Sequence, residues 1–210
     1  MPNLPEVITK SDIEKPRSPR GLRKFVCCRR EKVKAVTSER HAAMQKKGIY
    51  KEFFDEIIPL SIFALKVYPN TYKVKPLLGN QGYDAIVTDT HGKFIEYIEL
   101  TFPHDGQRNA KDAKLIVSRG YGKCDVYSPG EDIERLCQFI QKTCLEKAKK
   151  DYSNYTLVIV IGFVPPSKQD RSLYSQKINQ VKTLVQSISF KAKRVFLLLL
   201  EQHKILKVHG

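Results

Sequence analysis

Long apolar stretches are scarce in this chain of 210 residues. The longest, residues 157–161 and 195–200, fall far short of the roughly 20 residues a membrane helix needs. The opening segment, MPNLPEVITK, lacks the apolar centre of a secretory signal. Cysteines are few and badly spaced for metal: Cys27, Cys28, Cys124, Cys137 and Cys144 make an odd set with no CxxC pair. That gives a zinc site little support and fits reduced thiols inside a cell, in the cytoplasm, or in the nucleus of a eukaryotic or viral host. There is no internal repeat, no heptad run, no Walker-type phosphate loop and no GxSxG elbow. Acidic residues are also short: 22 Asp and Glu stand against 37 Lys and Arg, a net charge of +15. A polyanion is therefore the first partner to expect, nucleic acid and DNA before RNA, with no membrane.

What is present is enough for a folded core, since 41% of the residues are apolar. The excess charge is concentrated early, with residues 1–51 carrying a net +9. Pro2, Pro5, Pro16 and Pro19 crowd the same end, and no helical or strand period is visible there. Residues 1–30 therefore read as a basic flexible arm, disordered in isolation, in which Arg20, Arg23, Lys24, Arg29 and Arg30 are the candidates for gripping phosphates. A solvated tail that only aids solubility is the plainer alternative.

Residues 31–210 read as one α/β domain. Val33, Val36, Ala43 and Met44 make a weak helical stripe, followed by a stronger one through Ile49, Phe53, Phe54, Ile57 and Ile58 that Pro59 should kink or end. Strands are expected at 72–78, 83–88 and 93–102, the last two joined by Asp89-Thr90-His91-Gly92 as a hairpin. A mostly polar helix at 106–120 and a helix opening on Ser128-Pro129-Gly130-Glu131 follow. Two strands, the almost wholly apolar 157–164 and the buried 195–200, flank a helix built on Leu173, Ile178, Val181, Leu184, Val185 and Ile188. A last strand at 205–208 pairs back onto 195–200. Helices between strands imply a single three-layer domain around a central mixed β-sheet. Cys137 and Cys144, seven apart on an apolar helix face, read as core.

The densest chemistry lies in GNQGYDAIVTDTHGKFIEYIELTFPHDG, residues 79–106. Asp84 opens one strand just after a turn, and Glu99 interrupts the apolar run of the next. A hairpin centred near residue 90 sets Asp84 opposite residue 97, diagonal to Glu99 and within side-chain reach. On the second strand Ile95, Tyr97, Glu99 and Thr101 share one face, and Glu96, Ile98, Leu100 and Phe102 the other. Two carboxylates held together repel, and a hard divalent cation relieves that best. The plainer reading has Asp84 bonding backbone amides of the turn and Glu99 in an ion pair with Lys73, Lys75 or Lys114.

An Asp at a strand start after a glycine turn, a hairpin, an apolar strand with Glu-x-polar and then a helix resembles the core of the PD-(D/E)xK nuclease superfamily. The resemblance covers about residues 35–165 in element order and implies a restriction-endonuclease-like fold. It also implies a metal-dependent endonuclease of DNA, in which Asp84, Glu99 and the main-chain carbonyl of Leu100 bind Mg2+ or Mn2+, and it suggests a homodimer. The third motif position falls on Thr101, where the family usually has Lys, and Tyr83 stands where Pro often precedes the Asp. Lys111, Lys114 or His104 could take the role of the relocated base-orienting group, and Glu39 or Glu56 that of an extra acid. The rival reading is a non-catalytic nucleic-acid-binding or assembly protein on a degenerate copy of the same fold.

Overall fold

The computed structural model describes residues 7–45, 48–79, 81–103, 115, 118, 119, 129–162 and 168–210. It is α/β, and the chain divides into two compact units, Met1–Leu100 and Thr101–Gly210. The expected strands and helices that fall within the described residues are present, in one six-stranded mixed sheet, but the expected flexible arm is not.

The first unit begins with helices where an arm was expected. Short α1 spans Lys10–Ile13 and α2 spans Pro19–Ala35. Thr9 and Ser18 start them: the Thr9 hydroxyl accepts from the Asp12 amide and the Ser18 hydroxyl from the Gly21 amide. Pro19 sits in the first turn of α2, where its missing N–H costs nothing. Ile8, Ile13, Leu22 and Val26 are fully buried. Of the residues read as a flexible basic arm, the described ones, 7–30, thus contribute to the core of this unit. The basic residues masked a period that is there: Leu22, Val26 and Val33 make one inward stripe on α2. Arg17 closes α1, its guanidinium donating to the carbonyls of Asp12, Ile13 and Lys15 and lying 3.9 Å over the Phe25 ring.

After α3 (Thr37–Met44), a helical stretch runs from α4 (Ile49–Glu52) through a π-turn (Phe53–Ile57) into α5 (Ile58–Val67). The Ile58 amide bonds five residues back, to the Phe53 carbonyl. Pro59 explains the widened turn. It has no amide to give to the Asp55 carbonyl, and its ring would collide with that carbonyl in a regular turn. Pro59 therefore neither ends nor simply kinks the helix, as the sequence suggested, but is absorbed by one wide turn.

Three strands complete this unit: β1 (Lys73–Pro76), β2 (Ala85–Thr88) and β3 (Phe94–Thr101), with β1–β2 and β2–β3 both antiparallel. The outer side of β1 is covered by Arg17, which exchanges backbone bonds with Val74 at 3.0 and 2.8 Å. Val74, Ala85, Val87 and Ile98 point into the core with Phe53, Leu60 and Phe63.

In the second unit α6 (Pro129–Ala148) starts with proline in its first turn, as expected. β4 (Asp151–Ile161) runs parallel to β5 (Lys191–Leu199), with α7 (Lys168–Gln186) between them in the chain, and β6 (Lys204–His209) returns antiparallel to β5. His203 supports that return turn in the left-handed region at φ 48°. Leu157, Ile159, Ile161, Val195, Leu197 and Leu199 face the two helices, and Val158, Val160, Phe196 and Leu198 on the opposite side are buried too. Both strands are covered on both faces, which is why they read as unbroken apolar runs. Cys144 is buried in this core and its thiol is pushed up to about 12 by burial. The expected helix at 106–120, together with Ser128 and Cys124, lies outside the described residues apart from 115, 118 and 119.

Because Leu22 is wholly buried in α2, Leu22→Ala should destabilise the chain by about 2–5 kcal/mol. Urea unfolding checks this. A loss below about 0.5 kcal/mol would restore the arm reading.

Candidate active site

The β2–β3 hairpin carries the two central carboxylates, and its register differs from the one the loop length predicted. Ala85 faces Ile98, Ile86 faces Tyr97 and Val87 faces Glu96. Asp84 therefore lies not opposite Tyr97 but beside the 98–100 segment. Its amide donates to the Ile98 carbonyl at 2.8 Å, and its Oδ2 accepts from the Leu100 amide at 2.6 Å. The Asp84 carboxylate is thus fastened to the backbone immediately after Glu99. The plainer sequence reading had Asp84 bonding amides, and it does, but in β3 rather than in its own turn.

Glu99 is half-buried, as is Thr101, which ends β3. Glu96, on the other face, is 1% exposed and accepts from the Tyr68 hydroxyl at 2.8 Å. That bond gives a buried carboxylate a polar partner inside the core. The sequence put Glu96 on the correct face but gave no sign of its partner, which sits 28 residues away at the end of α5.

Glu56, named as one possible extra acid, lies in the π-turn. Its carboxyl is pushed up to about 7, first by burial and then by the negative charge of Asp84, with Glu52 adding to it. An acid from the helical stretch and an acid from the hairpin therefore feel each other directly. Glu39, the other candidate, sits on α3, half-buried. Lys111, Lys114 and His104 lie outside the described residues.

Asp84, Glu99 and Glu56 are oxygen donors of the kind that hard cations take. Among the described residues, however, no three His, Cys, Asp or Glu side chains meet closely enough to hold a metal ion. The hairpin itself carries two of these acids, Asp84 and Glu99.

The five basic candidates on α2 separate into two groups. Arg29 points inward, forming a 2.9 Å ion pair with Asp12 and lying 5.6 Å from the Phe25 ring. Arg23 donates to the Ser61 hydroxyl at 3.3 Å. Those two tie α2 to α1 and α5. Arg20, Lys24 and Arg30 are exposed. Two of the five candidates are thus engaged in structure and three face solvent. Among the described residues no helix is long and apolar enough to cross a membrane.

Compared with known proteins, the chain matches no family model, no curated protein and no solved structure.

Glu56 supplies a pH test. It ionises at about 7 in the folded chain against 4.5 ordinarily, so between those values the folded state holds a proton the unfolded state has lost. Its contribution to stability is full below about pH 4.5 and is lost as pH rises through about 7. Glu56→Gln should remove that dependence, so the variant gains on the parent as pH rises from 4.5 to 7. Urea midpoints measured across the range check it, and a constant difference between the two proteins would overturn it.

Proposed function

We propose that this chain is a metal-dependent nuclease that hydrolyses phosphodiester bonds in DNA, on a restriction-endonuclease-like three-layer fold. The observation that carries the reading is the bond from the Leu100 amide to Asp84 Oδ2. It holds one carboxylate against the strand that carries the other, Glu99, and carboxylate oxygens are the donors a hard divalent ion takes. Asp84, Glu99 and the Leu100 carbonyl would hold Mg2+ or Mn2+, and the Glu56 carboxyl beside Asp84 supplies a further acid. The ion, when bound, polarises the phosphoryl oxygen and lowers the pKa of water. Thr101, with Lys111 or Lys114, orients that water, and Arg20, Lys24 and Arg30 meet the phosphates of the strand.

A second reading draws on Thr101. A threonine hydroxyl carries no charge, so it cannot supply the electrostatic stabilisation a lysine would at that position. This supports a non-catalytic nucleic-acid-binding or assembly protein on a degenerate nuclease-like fold.

Cleavage of DNA separates the two. For a nuclease it should require Mg2+ or Mn2+ and fall to background in both Asp84→Asn and Glu99→Gln, which keep size and remove charge. Cleavage that survives both changes would sink the site assignment. A parent protein that cleaves no nucleic acid, with affinity equal or higher in the two variants, would establish the binding reading.

The basic helix gives an independent measurement. Arg20→Ala and Lys24→Ala should each reduce the slope of log affinity against log salt by about one, because one fewer counterion is released. Arg29→Ala should instead lower stability through loss of the Asp12 pair. Equal slopes in parent, Arg20→Ala and Lys24→Ala would remove α2 from the interface.

A further inference from the structure

The face of the first unit's strands that carries Glu99 also carries a second arrangement. The register aligns Lys73 with Thr88 and Thr88 with Phe94, then Lys75 with Ile86 and Ile86 with Tyr97. Glu99, two residues past Tyr97, shares its face. Phe94 would fall on the opposite face from Tyr97 in a regular strand, being three residues away. A register shift between Val87 and Thr88 leaves Ile95 as an extra residue in β3 and turns Phe94 back onto the Tyr97 side.

The result is a row of three rings. Tyr97 stacks on Tyr83 with centroids 4.2 Å apart and planes inclined by 27°, and lies 4.7 Å from Phe94. Phe94, at the outer end, is 42% exposed, although large apolar side chains elsewhere in this unit are mostly buried. Tyr83 directly precedes Asp84. Lys73 and Lys75 are exposed on β1, two strand spacings or about 10 Å from the rings. One aromatic pair across a hairpin is an ordinary stabilising contact. A row of rings ending in an exposed phenyl, with two lysines along one side and carboxylates at one end, has the layout of a groove for a nucleotide chain.

We propose that this face binds a single-stranded nucleic acid, with bases stacked on Phe94 and Tyr97 and with the flanking phosphates met by Lys73 and Lys75. A duplex keeps its base faces stacked inside and cannot use the rings, whereas every base of a single strand presents one. The positive charge of β1 matches the phosphates. The strand would pass from the rings toward Asp84 and Glu99. The proposal deepens the nuclease reading by naming the form of its substrate, and it rests on that reading only for cleavage.

The test is fluorescence anisotropy of the full chain with a labelled 20-nucleotide oligo-dT and with a duplex of the same length, without divalent metal. The single strand should bind more tightly. Phe94→Ala and Tyr97→Ala should each weaken it about tenfold or more, with duplex affinity unchanged, while Tyr97→Phe, which keeps the ring, should bind as the parent does. Lys73→Ala and Lys75→Ala should each lower the single-strand salt slope by about 0.7. Thermal unfolding of each variant separates binding from hairpin stability: rings that only brace the hairpin would lower the melting temperature and leave affinity per folded molecule unchanged, which overturns the proposal. Equal affinity of the parent for single strand and duplex overturns it as well. Ring-dependent binding without cleavage would keep this proposal and remove the nuclease reading. Cleavage with ring-independent binding would do the reverse.

Discussion

Side chains alternate along a strand with period two, so a shift of one residue in pairing exchanges the faces of everything beyond it. In the β2–β3 hairpin that constraint decides the whole candidate site. With Ala85 against Ile98, Asp84 comes level with the Leu100 amide and bonds to it. The extra residue near Ile95 then brings Phe94 round to Tyr97. Core and site are opposite consequences of one register: Ala85, Val87, Glu96 and Ile98 go inward, while Ile86, Tyr97 and Glu99 remain half-buried.

The helices of the first unit show how polar chemistry is kept in a buried setting. Arg17 and Arg29 both lie over the Phe25 ring and bond to α1, so a segment rich in charge contributes fully buried Ile8, Ile13, Leu22 and Val26. Their guanidinium stems cover apolar surface while the heads satisfy carbonyls and a carboxylate. In the same unit Pro59 forces a wide turn, and that turn carries Glu56. The shifted Glu56 carboxyl follows from the combination of burial and the nearby Asp84 charge. A regular helix would have rotated Glu56 by about a quarter of a turn relative to α5.

The acids and the rings on this hairpin suit successive parts of one ligand. Carboxylates need a cation or hydrogen bonds to be tolerated away from water, and Asp84 has at least the Leu100 amide. Aromatic rings next to them lower the local dielectric and strengthen whatever electrostatics the acids supply. Neither group alone defines a function. Their proximity on one short hairpin, with lysines on the neighbouring strand, is the feature that a composition of +15 could only suggest.

Local signals in the sequence were sufficient for most elements. The apolar strands β4 and β5, the turn leading to β6, the proline-opened α6 and the hairpin strands all follow from period, turn residues and length. So did the choice of Asp84 and Glu99, since an acid inside an apolar strand is conspicuous without any coordinates. At the start of the chain lysines and arginines hide a sparse stripe, and only packing shows that Leu22 and Val26 are core. The bulge at Val87–Thr88 leaves no mark in composition, so the exact register and the Phe94–Tyr97–Tyr83 row could not be read in advance. The partners of Glu96, Arg29 and Glu56 come from other elements of the chain. Periodicity reports which face a residue occupies; what waits on that face is decided by chain segments that meet only when the protein folds.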